Sequence, residues 1–179
     1  FVEEKSFADP DRIEVMIGSL MCEVDLMVSM DDYDLSQWNR PWVDKIAFHV
    51  EATDNPKKHI DTIRGWDKKV FLSLNPETEL DAVTPFMKHI DGLLFLGVTP
   101  GKSGNPFRPQ VLDTIQEFRK HNKTIEIEVD GGVTNETLPA LLDVGVNGVA
   151  VGSYLDNERL EECLFSLIGI IETFEARTK

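Results

Sequence analysis

Apolar positions recur at every second residue in six short runs along the chain, at Met21 to Ser29, Asp44 to Ala52, Lys69 to Asn75, Gly92 to Val98, Ile125 to Val133 and Val146 to Tyr154. Successive side chains of a strand point to opposite faces, so each run predicts a strand with two different sides. Between the runs, three- and four-residue periodicities predict helices at Asp9 to Leu20, Asn55 to Gly65, Glu77 to Ile90, Pro109 to His121, Asn135 to Gly145 and Asn157 to Arg177. The order is one helix followed by six βα units, with a longer step near Pro100 to Phe107. Strands joined by helical crossovers should be parallel. Asp9-Pro10 reads as a helix start and Gly145 as a helix stop. The last helix carries Leu160, Cys163, Leu164, Leu167, Ile168, Ile171 and Phe174 on one stripe, which should pack on the sheet. No linker or low-complexity segment interrupts the rhythm, so one domain over residues 1–179 is expected.

The strand faces choose between two parallel architectures. Val24, Leu26 and Val28 oppose Glu23, Asp25 and Met27; Ile46, Phe48 and Val50 oppose His49 and Glu51; Val70, Leu72 and Leu74 oppose Ser73 and Asn75; Ile125, Ile127 and Val129 oppose Glu126, Glu128 and Asp130. A doubly wound sheet covered by helices on both faces would read as continuous apolar runs. A (β/α)8 TIM-type barrel fits better, because its inner face can be polar near the carboxyl ends of the strands.

Charge narrows the partners. Of 179 residues, 32 are acidic and 18 basic, a formal net charge of −14, which argues against nucleic acid and against an anionic membrane surface. Small anions stay open, since backbone amides bind phosphate whatever the net charge. Cys22 and Cys163 form no disulfide or zinc pattern. No apolar run approaches the roughly 18 to 20 residues that span a bilayer, and the opening residues are too charged for a signal peptide. A soluble, cytoplasmic chain is expected.

Three constellations could carry chemistry. Val129-Asp130-Gly131-Gly132-Val133 ends one strand and Val149-Ala150-Val151-Gly152-Ser153 the next. Two adjacent small-residue turns entering helices late in a barrel suit a phosphate site; tight turns are the alternative. The loop Thr99 to Phe107 holds Gly101, Lys102, Ser103 and Gly104, which suits an anion about as well as it suits a plain connector. Asp130 takes the last inward position of its strand, where an acid, base or metal ligand belongs. Asp25 stands open between chemistry and structure, and His49 with Glu51 reads as a buried hydrogen-bonded pair. His59, His89 and His121 are expected on helix surfaces, and Trp38, Trp42 and Trp66 in aromatic packing.

With these residues in order, the succession EVDLMV, FHVEA, LNPET, VTPGKSGNPF, VDGGV and VGS resembles the ribulose-phosphate 3-epimerase family of the ribulose-phosphate-binding barrel superfamily. The resemblance implies interconversion of D-ribulose 5-phosphate and D-xylulose 5-phosphate at C3. One carboxylate would remove the proton, a divalent metal ion (Zn, Fe or Mn) would stabilise the enediolate, and a second carboxylate would reprotonate the other face. It implies Asp130 as metal ligand and acid/base, and the amides of Gly131, Gly132, Gly152 and Ser153 as phosphate ligands. The loop from Gly101 to Gly104 would close over the pentulose 5-phosphate, and Met27 would line the pocket. The family carries a histidine metal ligand where this chain has Asp25, which would take that place.

Aligned by the same motifs, Phe1-Val2 falls just after the family's second strand. Six βα units of a (β/α)8 barrel are therefore expected here, with the first two strands, their second histidine and the partner carboxylate missing. Resemblance and the two open strand edges both favour a homo-oligomer. A catalytically inactive sugar-phosphate-binding homologue, or another ketose-phosphate epimerase or synthase of the superfamily, is the alternative reading.

Overall fold

Asp9 and Asn55 set the first two helix starts. The Asp9 carboxylate accepts the amides of Asp11 and Arg12 at 3.1 and 3.3 Å, and the Asn55 side chain accepts that of Lys58 at 3.3 Å. Each cap precedes a proline, whose missing N–H costs nothing in the first turn. The structure is a computed structural model that describes residues 9–101, 104–155 and 158–178. Its elements are α1 (Pro10–Ile17), β1 (Cys22–Leu26), β2 (Val43–His49), α2 (Pro56–Arg64), β3 (Lys69–Leu74), β4 (Gly92–Leu96), α3 (Gln110–His121), β5 (Glu126–Asp130), α4 (Leu138–Asp143), β6 (Gly148–Ala150) and α5 (Leu160–Thr178). All six expected strands are present.

The strands follow one another in the order β1-β2-β3-β4-β5-β6, and β1 with β2, β2 with β3 and β5 with β6 pair in parallel. A doubly wound sheet reverses direction at a switch point; this order has no reversal, as a (β/α) barrel requires. The chain divides into two compact units, one of residues up to Leu74 with Asp81–Leu93, the other of Asn75–Leu80 with Leu94–Lys179.

In the first unit the register places Glu23, Lys45 and Lys69 in one layer and Asp25, Ala47 and Phe71 in the next, with His49 beside Ser73. The opposite face carries Val24, Leu26, Ile46, Phe48, Val70 and Leu72, all buried with Ile60 and Ile63 of α2. Lys45 is 4% exposed, and its ammonium meets Glu23 at 2.7 Å and the Phe71 ring at 4.2 Å. Trp38 and Trp42 are buried and Trp66 half-buried, in line with aromatic packing. In the second unit, Ile127 and Val129 are buried while Glu126, Glu128 and Asp130 are half-buried, the alternation expected of β5. Phe95 and Phe118 meet edge to face at 6.3 Å.

Four helical expectations need correction. Residues 77–90 form two 3-10 turns, Leu80–Ala82 and Thr84–Phe86, rather than a helix. Pro85 supplies no amide donor, so no i→i−4 bond can close on Asp81. The fifth expected helix, Asn135 to Gly145, is helical only from Leu138, because the Thr134 hydroxyl accepts the amides of Glu136 and Thr137 and holds residues 134–137 as a turn. Along α5 only Cys163 and Leu167 are buried; Leu160, Leu164, Phe165 and Ile168 stay exposed, since α5 packs against α4 along a narrow stripe. His89 lies beyond the second 3-10 turn rather than on a helix, exposed as expected; His121 is exposed at the end of α3.

Two half-buried cations tie down carbonyls at the starts of strands. Lys68 Nζ donates to the carbonyls of Arg40 and Val43, both at 2.7 Å. Arg119 donates to the carbonyls of Gly145, Asn122 and Ile125 at 2.9, 3.2 and 2.6 Å, and to Asn147 Oδ1 at 2.5 Å. Asn147 Oδ1 in turn accepts the Ile127 amide at 2.9 Å, joining the starts of β5 and β6. Arg119→Met removes a charged donor from four acceptors and should lower unfolding stability by about 2 to 3 kcal/mol in urea denaturation. Arg119→Lys, with no planar fork, should recover less than half of the loss.

Candidate functional site

Sequence-predicted site residues fall in both units. Asp25, Met27, His49 and Glu51 belong to the first; Asp130, Gly101, Gly104, Gly131, Gly132, Gly152 and Ser153 belong to the second. Lys102 and Ser103 lie outside the described residues.

In the first unit, Ser73 Oγ donates to Asp25 Oδ1 at 3.0 Å, reaching across β2, where the residue opposite Asp25 is Ala47. Ser73 is fully buried and Asp25 exposed. His49, also fully buried, places Nδ1 3.3 Å from Glu51 Oε2, so the expected pair forms, but with Glu51 exposed rather than buried. Met27 follows β1 and is half-buried.

A neighbouring cluster was not foreseen. Asp31, just after β1, accepts Thr53 Oγ1 at 2.5 Å and the Asp54 amide at 3.3 Å, and it lies 3.8 Å from His59 Nε2. His59 is 6% exposed with its ring edge-on to Phe48, so it is a core residue and not the expected surface histidine. It faces inward from α2 one position before Ile60, and the helix period alone would have marked that face. The hydrogen bond from Thr53 holds the Asp31 carboxyl below its usual range, and burial pulls the His59 imidazole below its own, with Lys58 adding to the effect and Asp31 opposing it.

In the second unit, Asp130 ends β5 on its half-buried face, opposite Ala150 of β6. The turns containing Gly131-Gly132 and Gly152-Ser153 therefore leave adjacent parallel strands. The amides of these four residues donate to no backbone carbonyl among the described residues. Thr137 Oγ1 donates to the Gly132 carbonyl at 2.8 Å and fixes the first turn from below. The second turn closes with Leu155 N on Gly152 O at 2.9 Å and does not enter a helix directly, because α5 begins at Leu160. Any anion held here is held by turn amides rather than by a helix start. Gly101 and Gly104 are exposed in the β4–α3 loop.

Gly97, Phe107 and Arg108 complete this cluster and escaped sequence reasoning. Gly97 N donates to the Asp130 carbonyl at 2.7 Å, and Gly97 O accepts the Arg108 amide at 2.8 Å. A Cβ on Gly97 would stand 2.3 Å from the Gly131 carbonyl oxygen, and one on Gly132 would stand 2.8 Å from Phe107 Cβ. A glycine closing the otherwise apolar run LLFLG was the available signal.

The expected metal ligands Asp25 and Asp130 belong to different units, and among the described residues no three His, Cys, Asp or Glu side chains gather as a metal-binding group. The donor set described does not fit the divalent ion implied by the resemblance, so no step below passes through one.

A family model, the ribulose-phosphate 3 epimerase family, matches residues 10–155, a span that includes every candidate residue above. The chain belongs to the ribulose-phosphate 3-epimerase family. The family member of Mycobacterium tuberculosis, a ribulose-phosphate 3-epimerase, is 31% identical over 149 residues, covering 79% of this chain and 64% of that protein. The ribulose-phosphate 3-epimerase of Schizosaccharomyces pombe is 34% identical over 107 residues, covering 60% of this chain and 47% of its own. The chain thus spans less than two thirds of the length of these family members. Among solved structures, the 3-keto-L-gulonate-6-phosphate decarboxylase of Vibrio cholerae superposes with a TM-score of 0.68 at 12% identity, covering 92% of this chain and 78% of that one. A native KDPGal structure gives 0.65 at 15% identity, covering 94% and 76%. At such identities these two show the barrel fold alone. No helix among the described residues is long and apolar enough to cross a membrane.

Two measurements test this geometry. Gly132→Ala puts a Cβ into Phe107 at a backbone φ of +70°, and should cost about 1 to 3 kcal/mol of stability by denaturant titration. The lowered pKa of His59 fixes the sign of a pH effect: its contribution is intact above the unfolded value, about 6.5, and is lost as pH falls toward the folded value, because the unfolded chain then binds the extra proton. Urea midpoints between pH 7 and 5 should fall, with a slope of at most about 1.4 kcal/mol per pH unit from this group, and His59→Gln should flatten that decline.

Proposed function

We propose that this chain acts as a ribulose-phosphate 3-epimerase, interconverting D-ribulose 5-phosphate and D-xylulose 5-phosphate with Asp130 as a proton-transfer carboxylate. The observation that carries the reading is the juxtaposition at the end of β5: a half-buried carboxylate on the inward face, followed at once by two glycine amides that donate to no backbone carbonyl among the described residues. The neighbouring strand ends in a second such turn at Gly152-Ser153. Family membership makes the pentulose phosphate the first substrate to test.

In this reading the amides of Gly131, Gly132, Gly152 and Ser153 receive the phosphate oxygens, which fixes one end of the sugar without requiring a basic surface. Asp130 then takes the C3 proton next to the C2 carbonyl, leaving the electron pair delocalised onto the carbonyl oxygen. Water on the opposite face of C3 then donates a proton there, which inverts the centre, and Asp130 gives its own proton up to solvent, restoring the carboxylate. A carboxylate held within reach of that proton by the phosphate anchor gains from positioning as well as from basicity.

Incubation of D-ribulose 5-phosphate with the protein in D₂O, followed by NMR, should show loss of the C3 proton signal. Asp130→Asn should slow it by about 100-fold or more, the typical worth of a positioned acid or base. An unchanged rate in Asp130→Asn would move the chemistry elsewhere. Absence of exchange in the unaltered protein, with phosphate ester binding retained, would make it a sugar-phosphate binder instead.

A further inference from the structure

Glu77 has no role assigned above, yet it reaches from the β3–β4 connection to Arg108 at the exit of the β4–α3 loop. Arg108 closes the β4–α3 connection, Glu77 stands shortly after β3, and both belong to the second unit. The Arg108 guanidinium is ion-paired with Glu77 through Nη1 and Oε1, and the same nitrogen lies 3.5 Å from Thr99 Oγ1. The Arg108 amide donates to Gly97 O, and Asn105 Nδ2 donates to the Thr99 carbonyl at 2.7 Å. Arg108 therefore holds the entry of the loop, at Gly97 and Thr99, against its exit.

That base is interlocked with the Gly131-Gly132 turn. Phe107, adjacent to Arg108, occupies the space beside Gly132, and its ring would lie 3.2 Å from a Cβ on Gly97. Any relaxation at Arg108 is transmitted to the turn through Phe107, since close-packed side chains leave no slack.

We propose that the Glu77–Arg108 pair is a positioning device, seating the base of the β4–α3 loop on the Gly131-Gly132 turn and thereby setting affinity for the phosphate ester. This rests on the phosphate-site reading given above. The pair touches no reacting atom, so its loss should appear in KM rather than in kcat. With Arg108 31% and Glu77 62% exposed, the pair is partly solvated and its effect is modest.

The test uses the whole chain with Arg108→Met, Glu77→Gln and the charge-exchanged double variant Glu77→Arg with Arg108→Glu. Hydrogen–deuterium exchange of peptides covering 97–108 should accelerate about threefold or more in each single variant and recover in the exchanged pair. KM for D-ribulose 5-phosphate in the C3 exchange assay should rise about threefold to fivefold, with kcat within about twofold of the unaltered protein. Unchanged protection of 97–108 in both single variants overturns the tie, whatever the activity. Lost protection with an unchanged KM reduces the pair to a structural contact and overturns the positioning role, as does a fall in kcat equal to the rise in KM. An unaltered protein that neither exchanges nor binds phosphate ester overturns the phosphate-site reading and the affinity role with it, and loop protection then decides the tie alone.

Discussion

The end of β4 comes so close to the turn after β5 that no side chain fits between them. Gly97 makes this possible: it donates to the Asp130 carbonyl, and its missing Cβ leaves room for the Gly131 carbonyl oxygen. The arrangement of the second unit follows from this contact. Because Gly97 also accepts the Arg108 amide, the long loop must return to the point where it left, and Phe107 is delivered over Gly132. The carboxylate of Asp130 is then held on a strand end whose backbone is bonded on both sides, to Gly97 and in register with Ala150. The proton transfer proposed for Asp130 would gain from such a mount, since small displacements of a reacting group are costly.

The half-buried cations and the glycine turns occupy opposite strand ends. Lys68 and Arg119 gather carbonyls where strands begin, and both pay part of their hydration to do so, which lowers their pKa. Glycines and carboxylates gather where strands finish. Cations with several carbonyl acceptors replace hydration with fixed hydrogen bonds and can be half-buried at little net cost. The finishing ends are built from backbone amides and small residues, which leaves them open to a ligand. A barrel separates the two tasks in this way, so that one end can be optimised without disturbing the other.

Most of the fold was legible in the sequence because the strand signal is local. Period-two alternation located all six strands, and the split between polar and apolar faces in four of them favoured a barrel over a doubly wound sheet; of these, β5 shows the alternation in its burial, while β2 and β3 are buried on both faces. What failed depended on contacts the pattern does not encode. Residues 77–90 carry helical spacing, but Pro85 overrides it. The stripe on α5 is amphipathic, yet how much of it is buried depends on what packs beside it. His59 was placed on a helix surface although it stands four residues before the buried Ile63, and the partners that bury it, the Phe48 ring and the Asp31 loop, come together only in tertiary structure. Gly97 was hidden for a similar reason, because its conformation is ordinary and only its neighbour demands the missing side chain.

Asp25 shows how a substitution in a motif can acquire a structural reason. The Ser73 hydroxyl is fully buried and donates to the Asp25 carboxylate. A buried hydroxyl left without an acceptor would cost about 1 to 3 kcal/mol, so the carboxylate contributes to folding whether or not it also serves a ligand. Ala47, opposite Asp25 on β2, is small enough to let the two side chains meet across the strand. Two polar pairs of the first unit are Asp25 with Ser73 and His49 with Glu51. Asp130 is mounted differently, on a strand end whose backbone carbonyl accepts the Gly97 amide.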